Sequence, residues 1–142
     1  MYTDAQLRLS QMQTVVGAAG TITSTNVINL LAPSSNLARG MTRRIFSEIT
    51  TALAGGTSIR AEMIQSANPD LSSPDILVVG PTVTDANGTA GRRLLDVNVP
   101  DNTKQYIGVQ YVTLGTHTAG AVWAGIVANT DQQPYLPSNT GL

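Results

Sequence analysis

His117 is the one imidazole in the chain, so a Ser-His-Asp arrangement or a histidine-based metal site would have to run through it. It stands in Thr116-His117-Thr118 between Gly115 and Gly120. Such a string of small residues predicts a solvated turn rather than a seat for a general base. There is no cysteine, which removes thiolate metal sites, disulfides and thiol nucleophiles. A metal centre would therefore rest on carboxylates and carbonyls. Asp70, Asp75, Asp85, Asp96, Asp101 and Asp131 fall at predicted strand ends and turns, where Asp commonly bonds its own backbone. Asp85-Ala86-Asn87-Gly88 starts like a calcium loop but lacks the third ligand and the closing Glu, and reads as an Asx turn.

Phosphate chemistry finds equally little support. Gly17 to Gly20 and Gly88 to Gly91 match only Gly-x-x-Gly, neither lies between a strand and a helix, and no Gly-x-x-x-x-Gly-Lys-Ser/Thr occurs. The clustered cations are Arg39, Arg43, Arg44, Arg92 and Arg93, and the net charge is -1. That balance gives no reason to expect nucleic acid, which needs a basic surface. Adjacent arginines in a strand point to opposite faces, so in Arg43-Arg44 and Arg92-Arg93 one member reads as solvent-facing and its neighbour as pointing elsewhere, ahead of contact with acidic patches on a protein and well ahead of a phosphate site. Asn87-Gly88-Thr89 matches a glycosylation acceptor, and Trp123 with Tyr106 and Tyr111 has the makings of a sugar-stacking platform. In a chain with only 4% aromatic residues, a packed core or interface is the plainer reading of those rings.

The elements that would position these residues are strands. Tyr106 to Leu114 and Ala121 to Ala128 are rich in Ile, Val, Tyr, Thr and Ala, and the Gly-flanked stretch between them predicts a hairpin spanning Lys104 to Asp131. Ile107, Val109 and Tyr111 share one face, and Val122, Ala124 and Ile126 oppose Ala121, Trp123 and Val127. Two apolar faces suggest a core on one side and a partner on the other. Upstream, Asn26 to Leu31, Met41 to Leu53, Thr57 to Ala67, Asp75 to Gly80 and Arg92 to Val99 read as strands, with breaks at Ala32 to Gly40, Ala54 to Thr57, Asn68 to Pro74, Pro81 and Thr84 to Gly91. Thr3 or Asp4 would cap a short helix through Gln13, although Leu7 and Leu9 are poorly spaced for one helical face.

Seven or eight such strands in 142 residues predict an all-β protein, a jelly-roll-like β-sandwich at residues 26–131. Residues 1–25 would be an N-terminal arm and residues 132–142 a C-terminal tail. Charged residues make up 12% of the chain, about half of the roughly 25% usual for soluble proteins. A surface built from Thr, Ser, Asn and Gln is cheap to desolvate and suits burial in an assembly. Neither a basic region followed by a long apolar run nor about 18 consecutive apolar residues occurs, so the chain reads as neither exported by an ordinary signal nor membrane-spanning.

The chain carries the ordered blocks Tyr2-Thr3-Asp4-Ala5-Gln6-Leu7, Ala54-Gly55-Gly56-Thr57-Ser58, Leu71-Ser72-Ser73-Pro74, Tyr106-Ile107-Gly108-Val109-Gln110-Tyr111, Thr118-Ala119-Gly120-Ala121 and Pro134-Tyr135-Leu136-Pro137-Ser138. In that order they resemble the Bbp16 family of bacteriophage capsid cement proteins. The likeness is least at Pro33 to Arg44 and Thr82 to Asn102. It implies a jelly-roll protein assembled in the bacterial host cytoplasm, bound to the outer surface of a tailed-phage head and clamping neighbouring capsomers of the major capsid protein. It implies a homo-oligomer, a dimer at two-fold positions ahead of a trimer, with no enzymatic activity, no cofactor, no metal and no nucleic-acid or membrane partner. Interface candidates are Arg43, Arg44, Tyr106, Tyr111, Trp123 and Tyr135. The alternative from another class is a carbohydrate-binding jelly roll acting in decoration or receptor binding through Trp123 and the tyrosines. A third, a small hydrolase, would place His117 in its site.

Overall fold

The computed structural model describes residues 3–31 and 43–127, with side chains described from Leu7 onward. These residues form eight strands in one antiparallel sheet: β1 (Thr3–Thr14), β2 (Gly20–Thr23), β3 (Ile28–Asn29), β4 (Arg44–Ser66), β5 (Asp75–Val79), β6 (Val83–Thr84), β7 (Arg93–Asn98) and β8 (Tyr106–Val127). A single 3-10 turn at Asp85–Asn87 is the only helical element among the described residues. The all-β expectation holds.

Two elements differ from what local sequence predicts, and the same cause explains both. The stretch predicted as a hairpin is one continuous strand, β8, of 22 residues. The two predicted strands on either side of Ala54 to Thr57 are likewise one strand, β4, of 23 residues. The two long strands pair with each other along their whole length, from Arg44 opposite Val127 to Ser66 opposite Tyr106. Their glycines face one another at mid-length, where the register shifts repeatedly between Ile49 and Ser58. Gly55 and Gly115 have φ of +84° and +78°, values that a side chain strongly disfavours. In this setting the glycines bend the paired strands without reversing them, as at a barrel corner.

The bend divides the sheet into two halves. In one, β1 lies beside β8 residues 121–127 and β7 beside β4 residues 44–48. In the other, β2 and β3 flank β8 residues 106–113, and β5 and β6 flank the later part of β4. We call these the β1/β7 half and the β2/β5 half. They face each other, because Tyr111 of the second half reaches Ser10 of the first, its hydroxyl donating to Ser10 Oγ at 2.9 Å. Alternate residues of both long strands fill the space between them, including Ile45, Ile49, Ile59, Met63, Ile107, Val109, Val122 and Ile126. The face predicted for Ile107, Val109 and Tyr111 is therefore the observed one and points inward, and Trp123 opposes the inward Val122, Ala124 and Ile126 as expected.

The N-terminal stretch is also corrected. From Thr3 it is not a helix but β1, paired antiparallel with β8, so the first 25 residues belong largely to the sheet and do not form a separate arm. Leu7 and Leu9, two apart, follow the strand period, which the possible cap at Asp4 obscured. The tail at residues 132–142 lies outside the described residues.

Candidate functional site

The bend carries the chain's only histidine, and its surroundings overturn the expectation of a solvated turn. His117 is 1% exposed and lies on β8, bridged through both backbone groups to Gly17: its N–H donates to Gly17 O at 2.9 Å and its carbonyl accepts from Gly17 N–H at 3.0 Å. The ring lies flat over Gly56, so close that a Cβ there would enter it. Nε2 sits 2.9 Å from Asp85 Oδ1, and Asp85 Oδ2 accepts the Gly56 N–H at 2.8 Å. Asp85 is thus no Asx turn closing on itself. It opens the 3-10 turn and points its carboxylate into the bend. Gly88 secures that turn, its carbonyl accepting the Leu53 N–H at 2.8 Å. Four segments meet at one buried imidazole.

Chemically this group is a clamp. His117 Nδ1 is buried without a hydrogen-bond partner, and no serine or threonine hydroxyl is bonded to the ring among the described residues. A hydrolytic triad needs a nucleophile within hydrogen-bond reach of the imidazole, whereas here Asp85 holds Nε2 and the Gly56 backbone lies against the ring. No group of three His, Asp or Glu side chains gathers among the described residues.

The predicted interface residues do not form one site. Arg44 and Trp123 come together on the outer face of the β1/β7 half, joined by Phe46, Arg93 and Asp96. Arg44 Nε pairs with Asp96 Oδ1 at 2.7 Å, Arg44 Nη1 donates to Asn98 Oδ1 at 3.1 Å, and Arg93 Nη1 pairs with Asp96 Oδ2 at 2.7 Å. The Arg93 guanidinium lies 5.6 Å from the Phe46 ring centroid, and Phe46 and Trp123 tilt against each other at 6.0 Å. Trp123 covers Gly125, whose missing side chain leaves room for the indole. Arg43, next along the chain, gives its carbonyl to Val99 N–H at 2.9 Å. Tyr106 is in the other half, opposite Ser66 and Asn29. Tyr135 lies outside the described residues.

Tyr111 belongs to the interior and offers no outer surface. It is fully buried, and burial pushes its phenol up to about 12, with the Ser10 and Ser47 hydroxyls opposing that shift. The Ser10 hydroxyl passes the chain of bonds on to Gln13 Oε1 at 2.6 Å, and Gln13 Nε2 reaches Thr23 O at 2.7 Å. A polar line therefore runs from β8 through β1 to the end of β2.

Reading the sequence missed Asp85 as the partner of His117 and Phe46 as the floor of the outer patch. Phe46 shares parity with Arg44 and Glu48, so alternation could have found it. Asp85 carries no such signal, because it lies 32 residues from His117. Also missed was Glu62, 1% exposed on the outer face of the β2/β5 half, held by Arg60 Nε at 2.7 Å and by Gln110 Nε2 at 2.5 Å.

Comparison with curated proteins finds no match. The family model described as Bbp16 matches residues 9–126, which takes in all of the strands from β2 to β7, the second half of β1 and all but the end of β8. The chain belongs to the Bbp16 family.

Proposed function

We propose that the protein is a capsid cement protein, binding the outer surface of a tailed-phage head and holding neighbouring capsomers of the major capsid protein together. The observation that carries this reading is membership of the Bbp16 family across residues 9–126. The charge-poor composition supports it, since a 12% charged chain leaves much surface that gives up water cheaply. So does the polar work of the fold, which goes into clamping the sheet: His117, Asp85, Glu62 and Tyr111 all spend their hydrogen bonds within the chain. Cementing suits many modest contacts, because a molecule seated on two adjacent shell subunits binds as linked sites whose joint strength exceeds either contact.

On this reading the protein works as a homo-oligomer, a dimer on two-fold positions ahead of a trimer, because a closed symmetric unit presents the same contacts to equivalent shell neighbours. The test is to add purified protein to heads that lack it and to measure bound copies and the temperature at which the heads release their DNA. Saturable binding with a raised release temperature is expected. A monodisperse monomer that neither binds nor stabilises the heads would end the proposal.

A further inference from the structure

Asn87-Gly88 carries a reactivity that the clamp leaves unused. Of all the Asn and Asp residues in the chain, Asn87 alone is followed by glycine. An asparagine so placed can react with its own backbone. The Gly88 nitrogen gives up its proton to water and bonds to Asn87 Cγ, ammonia leaves, and a five-membered succinimide remains. Water then opens the ring at one carbonyl or the other. One opening gives aspartate, and the other gives isoaspartate, in which the main chain runs through the former side chain. Glycine favours ring closure because no side chain crowds its nitrogen and its backbone turns freely. The reaction needs only water, to which Asn87 is exposed.

The fold withholds both reacting atoms. The Gly88 N–H donates to Asp85 O at 3.0 Å and closes the 3-10 turn. The Asn87 side chain points back along the chain, its Nδ2 donating to Thr84 Oγ1 at 3.1 Å. Ring closure has to break both bonds and swing Cγ forward onto the nitrogen of a buried residue. Gly88 is also fixed from its far side. Its carbonyl accepts the Leu53 N–H at 2.8 Å, and a Cβ on it would lie 2.5 Å from Leu53 Cδ1. The same turn begins at Asp85, whose carboxylate holds His117 and the Gly56 N–H. Opening the turn and loosening the clamp are therefore one motion.

We propose that Asn87 is a self-modification site, held unreactive by the folded turn and released to form the succinimide when the bend opens. Isoaspartate at this position makes the opening permanent. It adds one carbon to the main chain between Asn87 Cα and the Gly88 nitrogen, lengthening that path by about 1.5 Å. Gly88 has no room to take up the extra length, because Leu53 packs against it and is itself buried. Reaction to plain aspartate keeps the main-chain path, so the clamp can form again. Nothing in this chemistry depends on the cement reading.

The experiment incubates the full chain folded, the full chain unfolded in urea, and the folded variants Thr84→Val and His117→Ala. Mass spectrometry of the peptide containing Asn87 follows the exchange of ammonia for water and separates isoaspartate from aspartate. The folded parent is expected to react about tenfold or more slowly than the unfolded chain, because it must first open. Thr84 is exposed, so Thr84→Val keeps the fold while freeing the Asn87 amide, and the lost bond is expected to speed the reaction about fivefold. His117→Ala is expected to speed it further. A folded parent that reacts within about twofold of the unfolded chain overturns the guard, and an unfolded chain that does not react at Asn87 overturns the site. An unchanged rate in Thr84→Val overturns the turn as the guard, whether or not His117→Ala folds. No acceleration in a folded His117→Ala overturns release through the bend. Chains aged in urea are then refolded: those with aspartate are expected to melt like the parent and those with isoaspartate at a lower temperature. Equal melting of the two overturns the permanent opening.

Discussion

The bend and the outer patch of the β1/β7 half both join a cation-forming side chain to an aspartate, yet they hold them in opposite ways. At the bend, His117 and Asp85 have side-chain exposures of 0% and 16%, with glycine backbone pressed against the ring. On the patch, Arg44, Arg93 and Asp96 sit at 27%, 43% and 13%, spread over aromatic rings with water on one side. In the first pair the imidazole is cut off from solvent and the fit against backbone is exacting in shape. The second is screened and tolerant. The contrast teaches that burial and close backbone approach decide how much a polar contact matters here, since both pairs have unremarkable distances of 2.7 to 2.9 Å.

The sharpest way to break the contrast is His117→Ala, which empties the space over Gly56 and leaves Asp85 without its partner. A loss of about 3–4 kcal/mol is expected by denaturant titration, and a loss under about 1 kcal/mol would show that the bend needs no clamp. Gly56→Ala attacks the same place from the other side, by driving a methyl group into the imidazole. Overpacking of this kind costs about 2–3 kcal/mol. The double variant His117→Ala with Gly56→Ala should then be more stable than the sum of the two losses predicts, because the methyl group gains room.

A third prediction concerns pH at Tyr111, whose neutral form the fold buries. In the unfolded chain the phenol ionises near 10 and in the folded protein near 12, so its contribution is complete below about pH 10 and is lost as pH rises through 12. Up to about 2.7 kcal/mol is at stake, as two pKa units. Tyr111→Phe should lower stability by about 1 kcal/mol at neutral pH through the lost bond to Ser10 and should flatten the alkaline slope. An unchanged slope would mean that the phenol is not held out of water. The smallest effect belongs to the patch: Arg93→Ala or Asp96→Asn should cost below about 1 kcal/mol, shrinking further in 1 M salt. A patch variant that rivals His117→Ala would erase the comparison.

Strand type was legible in the residues because β-branched and aromatic side chains at period two leave little choice, as at Ile107, Val109, Tyr111 and at Leu95, Val97. What the two glycine clusters would do was not legible. Gly115 and Gly120 supply the same positive φ to a reversal as to a bend, and the deciding fact is the pairing of β8 with Gly55 and Gly56 of β4, some sixty residues away in the chain. The buried state of His117 was hidden for the same reason. Its partner and its floor come from β4 and from the 3-10 turn, and nothing in Thr116-His117-Thr118 announces them. The outer patch lay between these cases, with Arg44 and Trp123 chosen for their chemistry and Phe46 available by parity.

The unbroken run of β4 and β8 through both halves also dictates how the protein comes apart and forms. Neither half owns a strand pair of its own at its centre, so melting one strips the other of its two middle strands. Unfolding should be a single transition, with Trp123 fluorescence from one half and far-UV circular dichroism from the whole chain tracing one curve. Two separated curves would refute this. Assembly has the reverse character: the central ladder joins residues 44–66 to 106–127, so the chain must close a long loop before its main contacts reward it. Folding should accordingly be slow for a chain of this length, in the range of milliseconds to seconds that non-local β topologies show.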